Sequence, residues 1–246
     1  MFLCLEIGNT NLKGGIFEKR ILKNTFIYPV EEIEKFNFPS GWRNLRPEKV
    51  GISSVVPDII PHLTSMVKKI YGLSPVVITY KNCKMKLKVE NPEKTGIDRI
   101  LNCKAAVEIF GKPTVVIDIG TAITVDVVSR KGEFLGGLIL PGPSLWIKSL
   151  EKTALISDIK VKKGKLIGKN TDEAVSSGMM VGISGAVEKA VEKLMKIYPE
   201  AKVVITGGES KNFLKGFKFK YYWREFLTLE GVNFVLEKDE NGFEKD

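Results

Sequence analysis

Apolar residues in this chain fall in short, dense, β-branched runs punctuated by glycine turns, and two of these runs share one grammar. Val115 to Ile119 reads as a buried strand that carries Asp118 near its end, followed at once by Gly120-Thr121. Ala122 to Val128 then reads as a second strand running straight back. Phe2 to Ile7, with Glu6 near its end and Gly8-Asn9-Thr10 after it, repeats the order of apolar run, acid, apolar residue, glycine and threonine. Each copy leads into a further apolar segment, a polar turn and another apolar segment: Gly15 to Phe17, then Ile21 to Tyr28 in the first, and Val125 to Val128, then Phe134 to Leu140 in the second. A repeat of this span predicts two similar halves facing one another, not a solenoid.

Between and after the repeats the pattern alternates. The spacing predicts a helix near Val30 to Lys35, a strand at Lys49 to Ser53, a helix over Pro57 to Tyr71 with Pro57 in its first turn, and a strand at Pro75 to Thr79. Ile100 to Phe110 has the spacing of a buried helix. A helix over Ser144 to Lys152 follows the second repeat. A long one then runs over Asp172 to Tyr198, with Thr171 as its N-cap, interrupted by Gly178, Gly182 and Gly185. Lys202 to Thr206 predicts a strand, with Gly207-Gly208 between it and a helix, and the charged tail from Glu237 is expected to fray.

Composition adds a class and removes others. With 246 residues, 43% hydrophobic and 27% charged, the chain has material for a large core and the balance of a soluble globular protein. No apolar run has the length of a membrane span and no signal peptide is expected. Cys4, Cys83 and Cys103 are odd in number and lack metal-site spacing, so a reducing cytoplasm fits best. The net charge of +9 comes from scattered lysines, a pattern of solvated faces that also suits an acidic small substrate or nucleotide. Lys215 to Arg224 alternates bases with aromatics, as nucleic-acid surfaces do, although packing of a half-buried strand or loop produces the same alternation more often.

The candidate chemistry follows from the two turns. A carboxylate, a glycine and a hydroxyl at a strand end offer backbone N–H groups and an acid to a phosphate and its cation; an ordinary hairpin with a solvated acid is the alternative. Asp98 and Arg99, after Gly96-Ile97, pair a base with an anion clamp at a helix start, where a simple capping role is the alternative for Asp98. Gly207-Gly208 leaves room for a flat nucleobase or sugar against backbone. His62, the single histidine, has no acidic or nucleophilic neighbour and reads as a packing or surface residue. Gly164 to Lys169 comes closest to a Walker A loop but is one residue short, and no G-x-G-x-x-G follows a strand.

Glu6-Ile7-Gly8-Asn9-Thr10-Asn11, Ser53-Ser54-Val55-Val56-Pro57, Asn91-Pro92 with Gly96-Ile97-Asp98-Arg99, Asp118-Ile119-Gly120-Thr121-Ala122, Gly136-Gly137 with Pro141-Gly142, Gly168-Lys169-Asn170-Thr171 and Thr206-Gly207-Gly208, in that order, resemble the type III pantothenate kinases over nearly the whole chain. These belong to the acetate kinase, sugar kinase, Hsp70 and actin superfamily. The resemblance implies an α/β fold of two similar actin-like (ribonuclease H-like) domains, 1–110 and 111–246, each a mixed sheet with three antiparallel strands and flanking helices. It implies ATP-dependent phosphorylation of pantothenate to 4'-phosphopantothenate, the first step of coenzyme A biosynthesis, by a cytoplasmic homodimer using Mg2+ and a monovalent cation (K+ or NH4+). On these positions, Glu6, Gly8, Asn9, Thr10, Asn11 and Lys13 would hold the ATP phosphates, with Thr121, Gly207 and Gly208 also on the nucleotide. Gly96, Ile97, Asp98, Arg99 and Thr171 would bind pantothenate, Asp98 would accept its proton, and Asp118 would bind the monovalent cation. One position departs: the family usually begins its first hairpin with aspartate, and Glu6 carries its carboxylate a methylene further out. The second reading is a non-catalytic or regulatory relative, resembling the Bvg accessory factor proteins, with DNA as its candidate partner; it draws on Glu6 and the basic-aromatic run.

Overall fold

The computed structural model describes residues 1–151, 159–162 and 166–238. Lys152 at the end of one expected helix, Gly164 of the near-miss phosphate loop and the tail beyond Lys238 lie outside the described residues.

Strands β1 (Phe2–Ile7), β2 (Asn11–Glu18) and β3 (Ile21–Pro29) form an antiparallel meander. On the other side of β1, β4 (Lys49–Ser54) and β5 (Val76–Ile78) add in parallel, giving the order β3-β2-β1-β4-β5. The second sheet repeats the plan from β6 (Lys86–Leu87), β7 (Thr114–Ile119), β8 (Ala122–Val128), β9 (Glu133–Pro141), β10 (Lys202–Thr206) and β11 (Tyr222–Trp223). Here β7, β8 and β9 are the antiparallel meander, β10 and β11 run parallel beside β7, and β6 borders β9.

The helices are α1 (Ile60–Tyr71), α2 (Ile97–Phe110), α3 (Pro143–Glu151), α4 (Thr171–Ile197) and α5 (Leu227–Lys238). α2 and α5 lie between the sheets. Ile100 and Leu101 of α2, with Leu229, Val232 and Leu236 of α5, pack on Phe2 and Cys4 of the first sheet. Ala105, Leu227 and Phe234 pack on Val116, Val128 and Val204 of the second. α1 covers the outer face of the first sheet and α4 that of the second. Two elements cross position 110: β6 joins the second sheet, and α5 returns to the first.

Helix α5 had no clear pattern in the sequence because it is buried all round, with Thr228, Glu230 and Asn233 enclosed along with its apolar residues. It also carries Gly231, where an added Cβ would stand 2.3 Å from the Leu101 carbonyl oxygen, so glycine is what lets the two central helices cross closely. Other expectations shift locally. Val30–Lys35 is a 3-10 turn, not an α-helix, and its Glu32 leaves helical geometry. Pro57–Ile59 is a 3-10 turn leading into α1, on which His62 is exposed. Gly207-Gly208 leads into short 3-10 turns at Ser210–Asn212 and Leu214–Gly216, not into a helix. The basic-aromatic run is packing: Phe217, Phe219, Tyr221 and Trp223 join the core beneath β10, and the Phe217 ring stacks on Phe219 at 5.1 Å.

Candidate active site

Strand alternation aims the two acids of the repeat at the same layer. In β1, Leu3, Leu5 and Ile7 face the α1 side while Phe2 and Cys4 face α2 and α5, so Glu6 shares the inner face. In β7, Val115, Ile117 and Ile119 face α4 while Val116 faces α2 and α5, so Asp118 also points inward. Both stand at the carboxyl ends of their strands, where the first turn of α2 presents Asp98. Gly96 has no Cβ to obstruct this: one would lie 2.5 Å from Asp98 Oδ1. The Arg99 backbone N–H donates to that oxygen at 2.8 Å.

These three carboxylates feel one another and share a single ammonium. Burial pushes the Glu6 carboxyl up; Lys13 opposes this with its Nζ 3.2 Å from Glu6 Oε2, and the Asp98 charge adds to it. Asp118 is pushed up to about 6, first by burial, with Lys13 opposing and Asp98 and Glu6 adding repulsion. Asp98 is raised by burial against the pull of the Arg99 N–H and charge. Burial works against the Lys13 ammonium, but Glu6, Asp118 and Asp98 outweigh it and hold its pKa above the ordinary value. The cluster is therefore short of positive charge.

The hairpin tips meet above it. Gly8-Asn9-Thr10 joins β1 to β2 and Gly120-Thr121 joins β7 to β8, and the Thr10 and Thr121 hydroxyls lie 3.0 Å apart. Gly8 closes its turn by donating to the Asn11 carbonyl at 2.9 Å, and Gly120 donates to that of Ala122 at 3.0 Å. Behind the second tip, Gly207 has φ +99°, and an added Cβ would lie 2.4 Å from Asp118 Oδ1. Gly208 faces open space. Beside this loop a cavity of about 670 Å3 opens, with Met179, Met180 and Phe213 as apolar walls and Lys162, Lys211 and Lys215 as cations. Of these lining residues only Lys215, at the start of the basic-aromatic run, stood out in the sequence.

Two expected roles are corrected. Arg99 is no free anion clamp: its guanidinium forms a bidentate pair with the buried Asp126 of β8, with Nε 3.1 and 3.2 Å from the two carboxylate oxygens. Thr171 is not the N-cap of α4: Asn170 is, its Oδ1 accepting from the Glu173 N–H at 3.0 Å. Thr171 lies exposed at a different, open cavity lined by Trp146, Leu150, Asn170 and Gly178, and no member of the acid cluster lines it.

The acids fit a cation held jointly with a ligand. Among the described residues no three acid, histidine or cysteine side chains stand close enough to enclose a metal by themselves. Yet the buried Glu6 Oε2 meets only the Lys13 ammonium, 3.2 Å away and without hydrogen-bond geometry, and the three carboxylates exceed the one lysine in charge. Mg2+ suits such a place, since it keeps waters and takes one or two carboxylates plus phosphate oxygens.

Residues 2–193 match the family described as type III pantothenate kinase. The chain is 31% identical to the type III pantothenate kinase of Sulfurihydrogenibium sp. (strain YO3AOP1), over 96% of this chain and 99% of that protein. It is 34% identical to that of Persephonella marina, over 94% and 96%. Among solved structures, a Campylobacter jejuni chain described as a Baf family transcriptional activator superposes with a TM-score of 0.63 at 22% identity, over 97% of this chain and 99% of that one. At that identity the likeness speaks for the fold alone.

Proposed function

The chain belongs to the type III pantothenate kinase family, enzymes that phosphorylate pantothenate in coenzyme A biosynthesis, and on that premise we propose how its own residues carry out the transfer. The two hairpins grip the ATP phosphates from opposite sides, with Glu6, Gly8, Asn9, Thr10, Asn11 and Lys13 on one and Thr121 on the other. The nucleoside lies along Gly207-Gly208 in the cavity walled by Met179, Met180 and Phe213. The observation that supports this reading is the convergence of Glu6, Asp98, Asp118 and Lys13 beneath hairpin tips that touch.

Asp98 is the proton acceptor. As the pantothenate hydroxyl oxygen bonds to the γ-phosphorus, the bond from that phosphorus to the ADP oxygen breaks and the hydroxyl proton passes to the Asp98 carboxylate. A burial-raised carboxyl pKa makes this acceptor stronger than a solvated aspartate. Phosphoryl transfer asks the protein mainly to position groups and neutralise charge, and Lys13 does both from the floor of the cleft. Mg2+, when bound, would neutralise phosphate charge, with Glu6 and Asp118 as the carboxylates to hold it, and Asp118 would also take the monovalent cation, K+ or NH4+. Arg99 acts on the substrate side through Asp98 and the start of α2, since its guanidinium is tied to Asp126.

The fold in this reading is actin-like, two halves of 1–110 and 111–246 that exchange β6 and α5. A second copy of the chain brings Thr171 to pantothenate, completing a cytoplasmic homodimer. A coupled ADP-release assay with pantothenate, Mg2+ and ATP, run with and without K+, tests the proposal. ADP formation that requires pantothenate and rises with K+ supports it; ADP formation indifferent to pantothenate overturns it.

A further inference from the structure

The inner end of the cleft holds a hydrogen-bonded chain that the catalytic reading leaves unused. Asn102, one turn along α2 from Asp98, donates its Nδ2 hydrogen to Asp118 Oδ2 at 2.8 Å. Its Oδ1 accepts from the Thr228 hydroxyl of α5, also at 2.8 Å. Asn102 is 1% exposed and Thr228 is 7% exposed, so no water competes for these groups. An amide has two ends of similar shape, and only its partners decide which end faces a carboxylate. An ionised carboxylate only accepts, so the amide N–H is the end that faces Asp118, and the Thr228 hydroxyl anchors the other end by donating to Oδ1.

We propose that Asn102 and Thr228 are positioning residues for nucleotide binding, Thr228 fixing the Asn102 amide so that it holds the Asp118 carboxylate in its cleft-facing orientation. Asp118 Oδ2 is anchored by the amide, while Oδ1 lies against the Gly207 backbone, so close that an added Cβ there would stand 2.4 Å from it. A carboxylate held by the protein in this way has the preorganisation that charge-binding sites need. The device links the far end of the chain to the site: α5 follows β11, yet its first turn sets the geometry of the second hairpin's acid. Without the Thr228 donor, Asn102 Oδ1 loses its buried partner and the amide is no longer held in place against Asp118.

The inference rests on the reading that Asp118 serves the nucleotide and its cations, and the experiment separates the two. A non-hydrolysable ATP analogue is titrated by calorimetry into full-length wild type, Asn102→Leu, Thr228→Val, Thr228→Ser and Asp118→Asn in Mg2+ and K+, and unliganded melting temperatures are measured beside it. A hydrogen bond to a charged group corresponds to about a tenfold or greater loss of affinity for Asn102→Leu. Thr228→Val, which keeps shape but loses the donor, weakens binding several-fold, and Thr228→Ser, which keeps the donor, restores it to about the wild-type value. Variants that lower the melting temperature but bind the analogue like wild type, while Asp118→Asn binds poorly, overturn the positioning role alone. Wild-type affinity in Asp118→Asn overturns the underlying reading and the proposal with it. Should Asn102→Leu fail to fold, the valine and serine variants at position 228 decide the matter.

Discussion

The hydroxyls of Thr10 and Thr121, 111 residues apart in the chain, stand 3.0 Å from each other at the tips of two hairpins from different sheets. Each threonine follows a glycine and an inward acid, so the contact joins the two copies of one sequence pattern at the place where phosphates are proposed to enter. On the proposed reading, ATP binding exchanges this contact for bonds to phosphate oxygens.

That relationship is measurable. Thr10→Val and Thr121→Val each remove one hydroxyl, and each is expected to raise the KM for ATP about tenfold by deleting a hydrogen bond to a charged group. In stability the two sites should be non-additive, the double variant losing about 1 kcal/mol less than the sum of the singles, because either single already breaks the shared bond. Urea unfolding of the three variants checks this. Additive stabilities would mean that the hydroxyls do not bond in solution.

Asp98 gives the pH dependence. A proton acceptor works ionised, and burial raises this carboxyl above the ordinary aspartate value. Turnover at saturating substrates is therefore expected to fall as pH drops, with a midpoint above about 4, where an unperturbed aspartate titrates. Asp98→Asn should lower kcat by about two orders of magnitude or more while leaving the circular dichroism spectrum intact. A folded Asp98→Asn enzyme with near-normal kcat would remove the residue from the reaction.

Much of this was legible in the sequence, and what was not has physical causes. The acid-x-glycine turns were plain as a repeated pattern, whereas the shared inner face of Glu6, with Phe2 and Cys4, and of Asp118, with Val116, depends on which layer each strand packs against. The partner of Arg99 was hidden because Asp126 lies 27 residues away on a strand whose pairing shifts register beside it. Asn170 and Thr171 are adjacent and both good caps, so only backbone geometry chooses between them. Asn102 and Thr228 gave no signal at all, since their meeting depends on α5, a helix buried on every side that returns from the end of the chain.

Asp118 predicts a stability change of unusual sign. Its pKa is about 6 in the folded chain against 3.8 for the free group, so the native state binds the proton more tightly than the unfolded chain does. This contribution favours folding fully below about pH 4 and is lost as pH rises through about 6. At pH 7.5, without nucleotide or K+, the ionised carboxylate opposes folding by on the order of 3 kcal/mol. Asp118→Asn removes that charge, so it should unfold at higher urea than wild type at pH 7.5, with the gap narrowing at pH 4.5, even though it binds nucleotide poorly. A variant less stable than wild type at pH 7.5 would contradict the burial account.

The Arg99–Asp126 pair makes the last prediction, and it couples stability to chemistry. Asp126 is 1% exposed, and its carboxylate is held bidentately by a guanidinium that also lies 5.8 Å over the Phe134 ring. Removing one partner strands a charge with little water around it, so Asp126→Asn should cost about 3 kcal/mol in urea unfolding. Replacing both partners with apolar residues, Arg99→Met with Asp126→Leu, should recover part of that loss. The catalytic consequence follows from the neighbouring charge. Asp126 raises the Asp98 pKa and Arg99 lowers it, so Asp126→Asn shifts the balance toward a more acidic Asp98. The acid limb of the kcat profile should therefore move to lower pH in this variant, and kcat at pH 7.5 should fall, because a weaker base accepts the proton less readily. An acid limb that stays in place while stability falls would show that Arg99 and Asp126 hold α2 to the second sheet without tuning the base.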